Sequence, residues 1–176
     1  MWGFDSARPP DDQDRVNSSQ TYGFCFDVVA VSIDTHTCEV KIERYTSFHD
    51  AGKIINPQIV EGQVHGAIVH GIGGALYEEM AYADDGQFLC STFMDYLCPT
   101  ASDVPDFRVG HIETLSPINL SGSKGVGESS TMSAPVAIAN AVNDALAPLG
   151  LGIEELPITP DKIWRLMNQA PKRTAS

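Results

Sequence analysis

The feature that most constrains the fold is a long glycine-rich segment, residues 56–79, with the sequence NPQIVEGQVHGAIVHGIGGALYEE. Asn56 followed by proline is typical of a helix N-cap and first helical position, so the segment predicts one helix. At about 100° per residue, Gly62, Gly66 and Gly73 fall on one side of that helix. A glycine inside a helix lowers helix stability by about 1 kcal/mol relative to alanine. Several glycines on one side therefore indicate that another group approaches the helix backbone closely there. A neighbouring helix and a bound molecule both meet that requirement.

The other predicted elements follow no regular βαβ rhythm. Hydrophobic alternation and turn residues predict a hairpin of strands over 22–34 and 38–45. Helical spacing of apolar residues predicts one helix over 134–149 and another from residue 159 onward. The full set, with further strands over 87–94 and 107–115, predicts an α+β fold with a mainly antiparallel sheet and packed helices.

The chain is expected to form one domain with two tails. Its 176 residues, 43% of them hydrophobic, can bury one sizeable core. Residues 1–20 are polar and unpatterned, which predicts an arm, and its Trp2 and Phe4 suggest docking on a partner. The domain is expected over 21–170, followed by a tail over 171–176.

Charge and composition exclude several classes of partner. The formal net charge is -12, and no cluster of lysine or arginine interrupts the acidic surface, so nucleic acids and anionic membranes are disfavoured. No signal-like layout or membrane-length apolar run is found, so we expect a soluble cytoplasmic chain. Cys25, Cys38, Cys90 and Cys98 form no C-x-x-C pair, which predicts four reduced and mostly buried thiols.

A second glycine-rich stretch, SGSKGVGESS at 121–130, resembles a phosphate-binding loop but lacks its signatures. A P-loop needs its lysine after the glycines, and the dinucleotide motif would need a glycine where Ser130 stands. The stretch instead delivers Glu128 to the start of a helix, where an ionised carboxylate is favoured. Glu128 is therefore a candidate general base, and a helix-start acid without chemical function is the alternative that this pattern leaves open.

The long helix carries polar side chains beside its glycines. Gln63 and His70 flank the glycine side at similar angles, one heptad apart. His65 and His70 point about 140° apart, unlike the i,i+4 histidines that bind one metal ion, so no metal site is predicted.

Three motifs in this order resemble the molybdenum hydroxylases, in the C-terminal part of their molybdenum-binding subunit: HDAGKIINPQIVEGQVHGAIVHGIGGALYEE, MDYLCPTASDVPDF and KGVGESSTMSAPVAIANAVNDAL. This family includes xanthine dehydrogenase, aldehyde oxidoreductase and carbon monoxide dehydrogenase-like enzymes. The resemblance implies that Glu128 is the active-site base and that Gln63 binds the pterin of the molybdenum cofactor. The other cofactor-binding residues that it implies are Lys124, Gly125, Gly127, Ser129 and Ser130, and no side chain is expected to bind molybdenum directly.

The sequence departs from the family in two ways. His70 stands where the family commonly has another glutamine. The family's molybdenum subunit is also several times longer, so the resemblance implies a cofactor site shared with a partner chain that carries the missing N-terminal part. [2Fe-2S] clusters and FAD are expected on other subunits, and the chain alone is expected to be inactive. The pterin form stays open, the cytosine dinucleotide being one candidate.

The function implied is oxidative hydroxylation of an N-heterocycle, aldehyde or similar small molecule, with water as the oxygen source. A second hypothesis is a non-catalytic structural subunit of the same kind of complex. A third is a stand-alone hydrolase in which Glu128 acts with His111 or Asp95, although no nucleophile motif accompanies them. Retention of a carboxylate directly after the glycines favours the first hypothesis.

Overall fold

A three-stranded sheet and three α-helices form the part of the chain that the computed structural model describes, residues 9–15 and 21–169. In chain order the elements are β1 (Phe24–Ile33), β2 (Val40–Asp50), α1 (Pro57–Leu76), β3 (Phe107–His111), α2 (Ser129–Leu146) and α3 (Pro160–Gln169), with a short 3₁₀ turn (Ala147–Leu149) after α2.

The sheet has the order β1-β2-β3. β1 and β2 form the predicted antiparallel hairpin, with an irregularity in register between Ala30 and Val31. β3 joins the other edge of β2 in parallel, pairing Phe107 with Tyr45. A parallel neighbour needs a long crossover, and α1 together with the following loop supplies it. The predicted α+β class is confirmed, and the sheet is mixed with its longer pair antiparallel.

α1 begins as the sequence predicts and ends earlier. Asn56 is the N-cap and its side chain accepts a hydrogen bond from the Ile59 amide at 3.2 Å, while Pro57 is the first helical residue. The helix ends at Leu76, ahead of the predicted end at residue 79. α2 begins at Ser129, ahead of the predicted start at residue 134, so Glu128 occupies the N-cap position.

The core lies between the sheet and the two long helices. Val64, Ile68 and Ile72 of α1 are fully buried. They share one hydrophobic cluster with Ile138 and Val142 of α2 and with residues of β2 and α3. Burial of each such side chain contributes roughly 1.5–3 kcal/mol. This packing holds the start of α2 against the middle of α1.

Two sequence predictions are wrong, one about the loop after α1 and one about the burial of the thiols. No strand forms over 87–94, where Phe88 makes only an isolated bridge with Tyr82. Phe93 and Met94 are 91% and 92% exposed, and no strand within residues 9–15 and 21–169 pairs with them. The thiols are less buried than predicted, since only Cys38 is buried and Cys98 is exposed.

The predicted N-terminal arm falls mostly outside the described residues, and Trp2 and Phe4 lie there. Within the described 9–15 segment, Arg15 forms an exposed ion pair with Asp11 at 2.8 Å. None of the helices within the described ranges is long and apolar enough to cross a membrane.

Candidate functional site

Glu128 lies where the glycine-rich stretch meets α2. It is the N-cap residue, and its side chain makes no capping hydrogen bond. The residue is exposed, as are Gly125 and Gly127 before it. Capping therefore does not occupy the carboxylate, which is presented at the surface on a stretch of backbone with little side-chain cover.

α1 brings Gln63 to the same place. The Gln63 amide nitrogen Nε2 donates a hydrogen bond to the carbonyl oxygen of Gly127 at 3.4 Å. An added Cβ at Gly127 would lie 3.9 Å from that nitrogen, so the side chain rests beside the glycine. Two residues 64 positions apart in sequence, both predicted to belong to one site, are thus brought together next to Glu128.

The glycines of α1 divide into an open group and a packed group. Gly62 and Gly66 are exposed, and no atom lies within 4 Å of a Cβ added at either position. A Cβ added at Gly71 would lie 2.5 Å from Cβ of Ala134 in α2, and one at Gly73 would lie 2.7 Å from Glu78 Oε1. Close packing therefore explains Gly71 and Gly73. Gly74 has no atom within 4 Å of an added Cβ, and Gly62 and Gly66 leave backbone open beside Gln63.

The serines after Glu128 use their hydroxyls within the chain. The Ser129 hydroxyl donates to the Val126 carbonyl at 3.1 Å. Ser130 is fully buried, and its hydroxyl lies 3.1 Å from that of Ser47 in β2. These contacts fix the junction between the glycine-rich stretch and α2. The predicted role of both serines in cofactor binding stays a prediction.

Lys124 and Gly125 lie in the part of the stretch that contacts the hairpin. The Lys124 ammonium forms an ion pair with Asp50 at 2.9 Å, with 10% and 8% of the two side chains exposed. A Cβ added at Gly23 would lie 2.5 Å from the Gly125 carbonyl oxygen, so this part of the stretch runs close against the start of the hairpin. Their predicted cofactor contacts are untested by this geometry.

Asp50 is a residue that the sequence analysis missed. Burial by itself raises the pKa of Asp50, but hydrogen bonds from Thr114, Lys124 and the Gly52 amide outweigh it and hold that pKa below its ordinary value. The carboxylate is therefore charged at neutral pH. Its position between a histidine and Ala51-Gly52, inside the first of the three motifs, was the signal available for finding it.

The histidines and Asp95 have other surroundings. His65 lies beside Phe107 with ring centroids 5.4 Å apart, and His70 is exposed. His111 meets His49 edge to face with ring centroids 4.9 Å apart, and Asp95 accepts a hydrogen bond from Thr92 in its own loop. Each of the two residues proposed as a hydrolytic partner of Glu128 thus has a local neighbour of its own. Within the described residues, no group of three or more metal-ligating side chains occurs.

A cavity of about 520 Å³ lies away from Glu128. It is bounded by the start of β2, the C-terminal end of α1 and the loop before β3, including Val40, Tyr77 and Val104. Neither Glu128 nor Gln63 lines it. Glu128 and Gln63 are exposed, so this cavity is separate from the surface that carries them.

Comparison with known proteins identifies related domains. The family model described as a molybdopterin cofactor-binding domain matches residues 2–105. The chain is 50% identical to the nicotine 6-hydroxylase large subunit of Paenarthrobacter nicotinovorans over 135 residues, which is 77% of this chain and 16% of that protein.

Solved structures agree in fold. Quinoline 2-oxidoreductase from Pseudomonas putida 86 superposes with a TM-score of 0.78 at 49% identity, over 80% of this chain and 18% of that one. CO dehydrogenase from Oligotropha carboxidovorans gives a TM-score of 0.82 at 34% identity, over 88% of this chain and 20% of that one. The chain thus spans a fifth or less of the length of these relatives.

Proposed function

Because the chain belongs to the family of molybdopterin cofactor-binding domains, we propose that it supplies a general base and one wall of the cofactor site in a molybdenum hydroxylase. The observation that carries this proposal is the placement of exposed Glu128 beside Gln63, which contacts Gly127 at 3.4 Å. Neither residue is needed to close the core, so both are available to a bound molecule.

The residues fit a pterin. Gly62 and Gly66 leave backbone uncovered next to Gln63, with no atom within 4 Å of an added Cβ, so a flat ring system can approach the helix closely. The primary amide of Gln63 has a carbonyl oxygen and a second N–H beyond its bond to Gly127, which suit the donors and acceptors of a pterin edge. Gln63 would therefore hold the cofactor and the glycines would make room for it.

Glu128 would serve as the general base. When bound, the molybdenum cofactor supplies the centre at which a water-derived oxygen is transferred and two electrons are accepted from the substrate. The Glu128 carboxylate would take up, at Oε1 or Oε2, the proton that the water-derived oxygen loses as it becomes the nucleophile. A positioned base of this kind contributes typically about 10²–10⁴-fold to rate. The short, glycine-flanked backbone before Glu128 lets the carboxylate approach the reacting atoms.

The substrate class we propose is a nitrogen heterocycle. Two relatives near half identity are named for nicotine and quinoline, which favours this class over an aldehyde. A partner polypeptide would supply the remaining pterin contacts and the substrate pocket, since Glu128 and Gln63 are both exposed in the described chain. We place [2Fe-2S] clusters and any FAD on other subunits, leave the pterin's nucleotide form as a property of the partner's site, and expect assembly in the cytoplasm.

The test is to purify the chain from its native source and analyse the complex that accompanies it. We expect stoichiometric molybdenum and releasable pterin, together with iron on separate polypeptides, and hydroxylation of nicotine or quinoline with oxygen from isotopically labelled water. A metal-free monomer as the native form of the chain would contradict the proposal.

A further inference from the structure

A buried ion pair fastens the glycine-rich stretch to the sheet. Lys124, four positions before Glu128, places its ammonium 2.9 Å from Oδ2 of Asp50, the last residue of β2. Only 10% and 8% of the two side chains are exposed. The pair joins positions 74 residues apart in sequence, so it closes a long loop of the chain.

The carboxylate of Asp50 is fully hydrogen-bonded. Its Oδ1 accepts from the amides of Gly52 at 2.7 Å and Thr114 at 3.2 Å. Its Oδ2 accepts from Lys124 and from the Thr114 hydroxyl, and that hydroxyl accepts a second bond from Lys124. Such satisfaction is what a buried charge pair needs to offset its desolvation. Replacing a buried ion pair by apolar residues is often neutral or stabilising. Stability alone therefore does not account for this pair, and we infer that it fixes the position of the backbone.

Backbone contacts reinforce the pair on both sides of it. The Lys124 amide donates to the Ala51 carbonyl at 2.7 Å, and the Lys53 amide donates to the Gly122 carbonyl at 3.1 Å. Gly52 and Ser123 form an isolated antiparallel bridge. A side chain at Gly52 is excluded, because its φ is +60° and an added Cβ would lie 2.1 Å from the Gly122 oxygen.

The contacts that tie the glycine-rich stretch to the end of β2 become fewer after Lys124. Gly125, Gly127 and Glu128 are exposed, and α2 begins at the next residue. Only three residues therefore separate the buried ammonium from Glu128, and two of them are glycines that impose little restriction on the backbone. Without the ion pair immediately before them, the approach to the carboxylate would be held only by the packing of Val126 against the core and by the Gln63 bond to Gly127.

We propose that Lys124 and Asp50 act as positioning residues that hold Glu128 at its working distance from the reacting atoms, and that Lys124 makes no contact with the cofactor. This inference rests on the proposed function of Glu128. A displacement of about 1 Å in a catalytic group can lower turnover about 10²-fold. Loss of the Lys124–Asp50 ion pair, called the anchor below, is therefore expected to act mainly on kcat.

The decisive variant in the assembled enzyme is the double substitution Lys124→Met with Asp50→Asn, which keeps shape and leaves no unpaired buried charge. We expect kcat to fall about 10–100-fold, with KM, molybdenum content and thermal stability close to wild type. Lys53→Met is the matched control, because its pair with Glu113 at 3.5 Å is exposed and sits beside the same backbone contacts. That control should leave kcat unchanged.

A second measurement on the chain itself does not depend on activity. Three backbone amides donate hydrogen bonds between the glycine-rich stretch and the segments beside it, those of Lys53, Lys124 and Ser116. Their hydrogen exchange should become about tenfold faster or more in the double variant. Unchanged exchange, a kcat that follows thermal stability, or a loss of molybdenum with normal exchange would each overturn the positioning role. If Glu128→Gln keeps full turnover, the proposed base fails separately, while the exchange data still judge the anchor.

Discussion

The glycines of α1 have different surroundings in the two halves of the helix. In the C-terminal half, Gly71 is pressed against Ala134 of α2, and Gly73 is covered by Glu78 and Pro99. In the N-terminal half, Gly62 and Gly66 face nothing within 4 Å. Glycine in a helix permits close approach. The described chain fills that space at Gly71 and Gly73, whereas Gly74 beside them is as open as the N-terminal pair.

The glycine-rich stretch repeats this contrast. Its first part, ending at Lys124, is tied to β2 by buried and backbone contacts, whereas Gly127 and Glu128 are exposed. The two open regions meet where Gln63 contacts Gly127. The packed regions are therefore filled by the chain's own residues. The open regions form one continuous surface with little side-chain cover, and this is the surface that we propose for the cofactor.

The largest expected effect comes from the open side. Glu128→Gln keeps the size of the side chain and removes the base, so turnover of the assembled enzyme should fall about 10²–10⁴-fold. Molybdenum content should stay normal, because the substitution leaves the contacts of Gln63 intact. Steady-state kinetics with metal analysis on the same samples measure both quantities.

Glu154→Gln is the control for that experiment, since Glu154 is also exposed but lies between α2 and α3. It should leave turnover unchanged. Near-normal turnover of Glu128→Gln would remove the assigned base and favour a purely structural role for the chain.

An intermediate effect, of opposite sign on the two sides, is expected from single methyl groups. Gly71→Ala should lower the free energy of unfolding by about 1–2 kcal/mol through overpacking against α2, even after its gain in helix propensity. Gly66→Ala should raise that free energy by about 0.4–1 kcal/mol, because the added methyl meets nothing. Urea denaturation of the chain measures both values.

In the assembled enzyme, Gly66→Ala should lower molybdenum content, since the methyl group occupies space assigned to the pterin. If Gly66→Ala destabilises the chain, or if it leaves molybdenum content unchanged in the complex, the distinction between open and packed glycines does not mark the cofactor surface.

The smallest effect is expected at the contact between the two open regions. Gln63→Ala removes one exposed hydrogen bond, worth about 0.5–1.5 kcal/mol, together with its proposed bond to the pterin. Cofactor should therefore dissociate up to about tenfold faster, as followed by pterin release on dilution. Gln58→Ala, an exposed position near the start of the same helix, is the control. Equal release rates in both variants would count against the role of Gln63.

Sequence reasoning reached the hairpin and the three helices, and the family resemblance assigned Gln63 and Glu128 to one site without predicting that Gln63 contacts Gly127. It failed over 87–94, which it predicted as a strand, because within the described residues only an isolated bridge between Tyr82 and Phe88 forms there. It also failed to find Asp50, because one aspartate at the end of a strand has no periodicity to mark it. Local patterns report the conformation of a segment, and pairing depends on what lies beside it.

The sequence by itself determined where α1 begins, since Asn56 and Pro57 act through local capping chemistry, and it identified Glu128 as the residue at a helix start. Only the tertiary structure decided which glycines of α1 are filled by α2 and which stay open. It also decided that Lys124 meets Asp50, across 74 positions. Helical periodicity gives a side chain its direction, but the group that it meets is set by how distant segments pack together.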